Sequence, residues 1–287
     1  MACGWRNSAS SRCGCGTTYY SAPTRISRSS ISLSLLTAVA ARTKTIKIGT
    51  GVLVLPLRNP VILAKQLSTI DLISNGRLML GAAVGWYKRE FDAVGIPYER
   101  RGRIMDRNLD ILKRLWTEDS VSGEWDELDL RKAVMFPKPV QKPHPPILIG
   151  GYVDVVLKRA ATRGDGWLTY FYTPEAYNES WAKISAYAEE AGRDPADLYS
   201  LNQLPIYVGP REVGMAKMTE WLNAEWDLSK GSLSTFDSAI VGTPAECAEQ
   251  IAAHIATGVK KIVFVPWRYE KEQVDLLAHE VLPLLRK

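Results

Sequence analysis

From residue 30 onward the chain alternates segments of strand period with segments of helix period, and this alternation constrains the fold more than any other feature. Strand, helix and strand in succession close most readily into a parallel sheet with helices packed on it. The spacing predicts strands over 46–55, 77–84, 147–149, 166–170, 199–208 and 261–265. The first, Ile46 to Leu55, is rich in β-branched residues and glycine and stops at Pro56. Asn59-Pro60 then opens a helix as N-cap and first helical residue. Leu63, Leu67 and Ile70 line one face of that helix, and Asn75-Gly76 closes it. Further helices are predicted over 100–116, 153–162, 174–191, 211–223, 244–257 and 271–285, with a loop over 225–240. Such a set fits an α/β barrel that lacks two strand–helix units, or an open doubly wound sheet.

Two stretches break the rhythm. Residues 119–145 carry Trp125, Phe136 and a run of prolines (Pro137, Pro139, Pro143, Pro145), and read as an ordered excursion over the barrel mouth whose aromatics need cover. The apolar run Ile31 to Ala41 has two readings: a helix laid on the sheet, or, with Arg25 and Arg28 ahead of it, the core of a secretory signal. The α/β alternation that follows favours the helix, and the run is too short to span a bilayer.

Composition separates the chain into two parts. Residues 1–29 are rich in Ser, Arg, Cys and Gly, lack any run of four apolar residues, and are expected to be disordered. Residues 30–287 make one α/β domain. Of the formal charge of +5, Arg6, Arg12, Arg25 and Arg28 account for all but one unit, and elsewhere acids and bases are interspersed. That distribution excludes the clustered basic face of a nucleic-acid binder. Cys3, Cys13 and Cys15 have no second pair and no neighbouring histidine, and Cys247 stands alone. They match neither zinc-ligand spacing nor a disulfide framework, so no metal is expected and the compartment is read as cytoplasmic.

In parallel α/β folds ligands bind at the carboxyl ends of strands. Gly49 and Gly51 lie in the first strand, Gly85 follows the second, and Gly150-Gly151 follows the third, directly before a helix. Glycine admits close approach of a ligand to the backbone, and a helix N-terminus attracts phosphate. The same glycines equally suit tight strand-to-helix turns. Neither a dinucleotide fingerprint nor a Walker P-loop is present.

The string Ile48-Gly-Thr-Gly-Val-Leu-Val-Leu-Pro, Arg58-Asn-Pro, Ala64-Lys-Gln-Leu, Gly76-Arg-Leu and Val84-Gly-Trp resembles the luciferase-like monooxygenase family. Glu99-Arg-Arg-Gly-Arg, Lys138-Pro-Val-Gln, Pro145-Pro-Ile-Leu-Ile-Gly-Gly, Arg163-Gly-Asp-Gly-Trp and Val241-Gly-Thr-Pro extend the likeness over residues 33–267. Within the family the chain is most similar to the branch that uses the deazaflavin coenzyme F420, with FMN as the alternative. The resemblance implies a (β/α)₈ TIM barrel, here lacking its first two strands. It also implies an isoalloxazine-type ring at the carboxyl end and hydride transfer to or from a small organic substrate. A non-proline cis peptide behind that ring maps onto Gly51-Val52. Val84, Gly85 and Trp86 match a turn lining the cofactor, and Gly150, Gly151 and Tyr152 a segment near its phosphate-bearing tail. Full-length members begin with a strand, a helix and a second strand, which in some carry a catalytic histidine. Here His144, His254 and His279 fall at no matching position, so no catalytic residue is assigned. An inactive, truncated barrel remnant is the alternative function. Relatives also imply a homodimer, a small-molecule substrate, and neither nucleic acid nor membrane as partner.

Single residues carry plainer readings. His144, in the proline-rich stretch, is taken as a surface residue; His254 and His279, in outer helices, as solvated or packed. Trp86, Trp125 and Trp167 are candidates to stack on a flavin ring, with Trp86 favoured, while Trp181 reads as core. Arg89, Glu90 and Asp92 read as a solvated helix start, and Glu99 to Arg103 as a structural ionic cluster.

Overall fold

The computed structural model describes residues 13–15, 32–125, 128–225 and 237–286. These fall into two compact units, one holding the described residues up to Gly150 together with 163–166, the other holding 151–162 and the residues from 167 on. Among the described residues no helix is long and apolar enough to cross a membrane.

In the first unit, β1 (Cys13–Cys15) pairs in parallel with β2 (Ile48–Thr50), Cys13 opposite Ile48. These three residues lie in a stretch expected to lack structure; the rest of residues 1–29 is outside the described residues. The run at 31–41 is helix α1 (Ser32–Arg42), which buries Leu33, Leu36, Val39 and Ala40 at helical spacing. The predicted strand 46–55 is divided into β2 and β3 (Leu53–Val54) by Gly51-Val52, whose peptide bond is cis. Helix α2 (Pro60–Ser74) starts where expected: the Asn59 side chain accepts from the backbone N–H groups of Val61 and Ile62 at 3.0 and 3.2 Å. Asn75 and Gly76 end it in left-handed conformations.

Strand β4 (Leu78–Ala83), the short helix α3 (Lys88–Ala93) and α4 (Arg101–Thr117) follow. Next come an antiparallel pair, β5 (Val121–Trp125) and β6 (Leu128–Ala133), and then β7 (Ile147–Gly150). Strands β2, β3 and β7 all run parallel to β4; Leu53 and Ile149 both lie opposite Ala82, and Val54 and Gly150 both lie opposite Ala83. Every residue of β7 is buried, as a strand covered on both faces must be.

The described residues of the excursion at 119–145 lie at the other end of the sheet from the one expected. Lys138 donates to the carbonyls of Leu115 (2.9 Å) and Glu118 at the end of α4, and Gln141 donates to the carbonyl of Leu78, the first residue of β4, at 2.8 Å. Leu80 N–H bonds the carbonyl of Pro146. A helix that follows a strand returns the chain to the strands' amino ends, so a segment between α4 and β7 belongs there and not over the mouth.

The second unit holds α5 (Asp154–Thr162), β8 (Gly166–Tyr170, from Trp167 on), α6 (Pro174–Glu190) and β9 (Tyr199–Val208). Helix α7 (Arg211–Glu225), β10 (Ile240–Gly242), α8 (Pro244–Ala256), β11 (Lys261–Pro266) and α9 (Lys271–Leu276) complete it. β10 and β11 both run parallel to β9, and Phe171 N–H bonds the Gln203 carbonyl at 2.8 Å, joining the end of β8 to β9. Gln273 of α9 accepts from Val208 N–H (2.7 Å) and donates to its carbonyl (3.1 Å), pairing the end of β9 as a strand would. Thr243 and Glu246 form a reciprocal capping box at the start of α8. The single helix expected over 271–285 is instead α9 followed by one wide turn (277–281) and one tight turn (282–286), because Pro283 lacks the N–H an α-helix needs.

Candidate functional site

In the first unit the predicted residues gather at the carboxyl ends of the strands. Val54, Ala83 and Gly150 form one row across β3, β4 and β7, and Val52 crosses toward it: a Cβ added to Gly150 would stand 2.6 Å from Val52 Cγ1. Gly85 has a φ of +80°, and its added Cβ would meet Val54 Cγ1 at 2.6 Å and the Phe91 ring at 2.9 Å. Both glycines are therefore required by protein packing. Beneath them Leu53, Leu55, Leu80 and Ala82 are fully buried, whereas Val52, Ala83 and Val84 stay part-open and Trp86 is 46 % exposed. The result is a rigid base carrying an accessible apolar row, a surface that suits a flat, largely apolar ring.

The turn after β4 is held by a residue that no periodicity marks. Tyr98 donates its hydroxyl to the Trp86 carbonyl at 2.9 Å, meets Phe91 edge-on at 5.2 Å, and carries the Arg101 guanidinium 3.9 Å above its ring. Twelve residues separate Tyr98 from Trp86, so only the folded chain reveals the contact. Lys88 and Asp92 of α3 form an exposed ion pair, as a solvated helix start should.

In the second unit, Gly151 and Tyr152 stand beside the end of β8. Trp167 donates its indole N–H to the Gly151 carbonyl at 2.7 Å, and Tyr152, 36 % exposed, sets its ring 6.3 Å from that of Tyr170. Burial pushes the Tyr170 and Tyr172 phenols above the usual tyrosine range, so both remain protonated. The helix start at α5 already carries a carboxylate: Asp154 accepts from the Tyr187 hydroxyl at 2.7 Å and lies 3.8 Å from Lys183.

Two aromatic candidates and one histidine are corrected. Trp167 is fully buried against Tyr177 and Tyr172, so it cannot stack on a ligand ring and instead fixes Gly151. Trp125 belongs to the β5–β6 pair at the amino ends, with Arg114 over its ring. The His144 side chain is only 8 % exposed; it lies 5.9 Å from Trp116 and 3.7 Å from Asp165, whose carboxylate accepts from Ile147 N–H. Trp181 stacks on Tyr177, and His254 is packed at 5 % exposure. No cluster of three or more metal-binding side chains occurs among the described residues.

Comparison with known proteins places the chain in a family. The pattern defining the luciferase-like monooxygenases matches residues 16–227. An FMNH(2)-dependent dimethylsulfone monooxygenase of Pseudomonas putida is 28 % identical over 89 % of this chain and 78 % of its own. An F420-dependent glucose-6-phosphate dehydrogenase of Amycolatopsis mediterranei is also 28 % identical, over 89 % of this chain and 84 % of its own. Among solved structures, an F420-dependent secondary alcohol dehydrogenase in complex with an F420-acetone adduct superimposes with a TM-score of 0.78 over 90 % of this chain and 85 % of its own, at 19 % identity.

Proposed function

Because the chain belongs to the luciferase-like monooxygenases, an α/β-barrel family of flavin- and F420-dependent oxidoreductases, we propose that it binds coenzyme F420, with FMN as the alternative, and exchanges hydride with a small organic substrate. One observation carries the proposal: Val52, Val84, Gly85 and Gly150 converge at the carboxyl ends of β3, β4 and β7, over a base closed to water. In this reading Gly51, Val52, Val84 and Trp86 meet the ring. Gly151 and Tyr152 are assigned to a phosphate-bearing tail. The ring, when bound, supplies two-electron chemistry at a single atom; the protein supplies orientation and exclusion of water. Gly85 and Gly150 let the strand ends close tightly enough to do the second, and Tyr98 keeps the Trp86 turn in place for the first. Use of a reduced cofactor also fits the proposed cytoplasmic setting.

Titration of the purified protein with F420 and, separately, with FMN, followed by absorbance and tryptophan emission, tests the reading. Saturable F420 binding that weakens at least about tenfold in Val84→Glu, where a charge enters the apolar row, is expected. Binding of FMN alone selects the alternative cofactor. A folded protein that binds neither refutes the proposal and favours the inactive remnant.

A further inference from the structure

At the carboxyl end of the second unit, where β9 and β11 run parallel, a cation stands without a counter-ion among the described residues. Lys217 of α7 places its ammonium 4.5 Å from the Trp267 ring centre and 5.2 Å from that of Tyr207. Trp267 in turn donates its indole N–H to the Lys217 carbonyl at 3.2 Å, so the cage is tied at both ends. The neighbouring charges are otherwise engaged: Arg268 pairs with Glu220 at 3.4 Å, Arg211 donates to the Val241 carbonyl, and Glu246 caps α8. A lysine ammonium has three donors. Its one hydrogen-bond partner here is the Tyr207 hydroxyl, at a long 3.4 Å, and no carboxylate reaches it among the described residues.

The backbone beside it is held in an uncommon shape. Of the five non-glycine residues with positive φ among the described residues, Asn75 caps a helix and Lys132 lies in the β5–β6 pair. The other three, Phe171, Arg268 and Tyr269, sit directly after β8 and β11. Such conformations concentrate at ligand clamps. Trp267 and Phe171 pack in one core with Tyr207, and Tyr269, which leans on Trp221, stays 59 % exposed at the rim.

We propose that Lys217 is an anion receptor, taking the carboxylate or phosphate of a small ligand that enters the carboxyl end of the second unit. The aromatic walls strip water from the ammonium on two sides and leave its remaining donors to an oxyanion, a charge-assisted bond stronger than one between neutral groups. This assignment stands on the second unit alone and does not depend on the cofactor.

The test uses the full-length protein without cofactor, titrated with inorganic phosphate and, in a second arm, with acetate, at ionic strength held constant with chloride. Emission from Trp267, isolated as the difference between wild type and Trp267→Phe, reports movement of the ammonium. Saturable change with phosphate alone identifies a phosphate receptor, and with acetate as well a general oxyanion receptor; either supports the proposal. Affinity should fall at least about tenfold in Lys217→Met and stay within a few-fold in Lys217→Arg. If Lys217→Met does not fold, protection of Lys217 from acylation in the wild type, read by mass spectrometry with and without phosphate, gives the same answer. No saturable response in either arm, or undiminished affinity in a folded Lys217→Met, overturns it.

Discussion

Arg77 is 6 % exposed, yet among the described residues none of its partners is a carboxylate. Its Nε donates to the Ser74 carbonyl at 2.6 Å, one terminal nitrogen to Thr43 Oγ1 (2.9 Å) and the Ile46 carbonyl (2.6 Å), and the other to the carbonyls of Ala40 and Thr43, both 2.9 Å. Ala40 and Thr43 lie at the end of α1 and Ser74 ends α2, so one guanidinium satisfies the orphan carbonyls of two helices where their dipoles are negative. Burial pulls its pKa down, but an arginine stays charged regardless. Arg77→Met would strand buried acceptors at three elements. Five charge-assisted bonds at about 1.5–3 kcal/mol each set an upper bound of roughly 7–15 kcal/mol. Relaxation and entry of water reduce this to the roughly 3–5 kcal/mol that follows loss of one partner in a buried network. At about 2–4 °C per kcal/mol for a protein of this size, the melting temperature should fall by about 10 °C. Arg77→Lys, with three donors on a single nitrogen, should recover less than half of the loss. The measurement is thermal and urea unfolding of the three proteins at low and high salt, with no salt dependence of the difference because the site is buried. A loss below about 1 kcal/mol in Arg77→Met would refute the assignment of Arg77 as the joint between the helix ends.

Two further outcomes follow from the same kind of reading. Gly85→Ala should cost about 2–4 kcal/mol, combining positive φ with overpacking against Val54 and Phe91, and should loosen cofactor binding; Gly95→Ala, at a φ of +71° with no atom within 4 Å, should cost only about 1 kcal/mol in urea unfolding. Burial lowers the His254 pKa, so the unfolded chain takes up the proton first; stability is full at pH 8, declines as pH falls through the ordinary histidine value of 6.5, and His254→Gln should flatten this decline in melting temperatures taken between pH 8 and 5.

What could be read in advance follows from how local each signal is. The strands at 166–170 and 199–208 and the cap at Asn59 were legible because alternation and capping need only a short window of sequence. The gathering of Gly51, Gly85 and Gly150 was legible because parallel strands put all such turns at one end. The burial of Trp167 and His144 was not, since each depends on partners contributed by distant segments. Nor was the Tyr98 bond to Trp86, which crosses from one irregular segment to another. The place of the β5–β6 pair could have been deduced: a segment entered from the end of a helix and left at the start of a strand has to lie at the amino ends.

The two ends of the first unit differ in chemistry, and that difference supports the proposal that the ligand meets the carboxyl ends. The amino ends are saturated with polar contacts: Arg77 on its five acceptors, Gln141 on Asp71 and Leu78, Lys138 on the end of α4, and Asp165 exchanging bonds with Ile147. A ligand arriving there would find its donors and acceptors already engaged and would have to break bonds to enter. At the carboxyl ends the chain closes by apolar packing of Val52, Val54 and Phe91 around glycines, and leaves Val84 and Trp86 part-open. Apolar surface left in water at a rigid rim is where a flat ring gains most from burial, about 25 cal/mol per Å². Substitutions at the amino ends should therefore change stability and leave ligand affinity alone, while those on the rim should do both, because on the proposed reading the side chains that close the fold also meet the ligand.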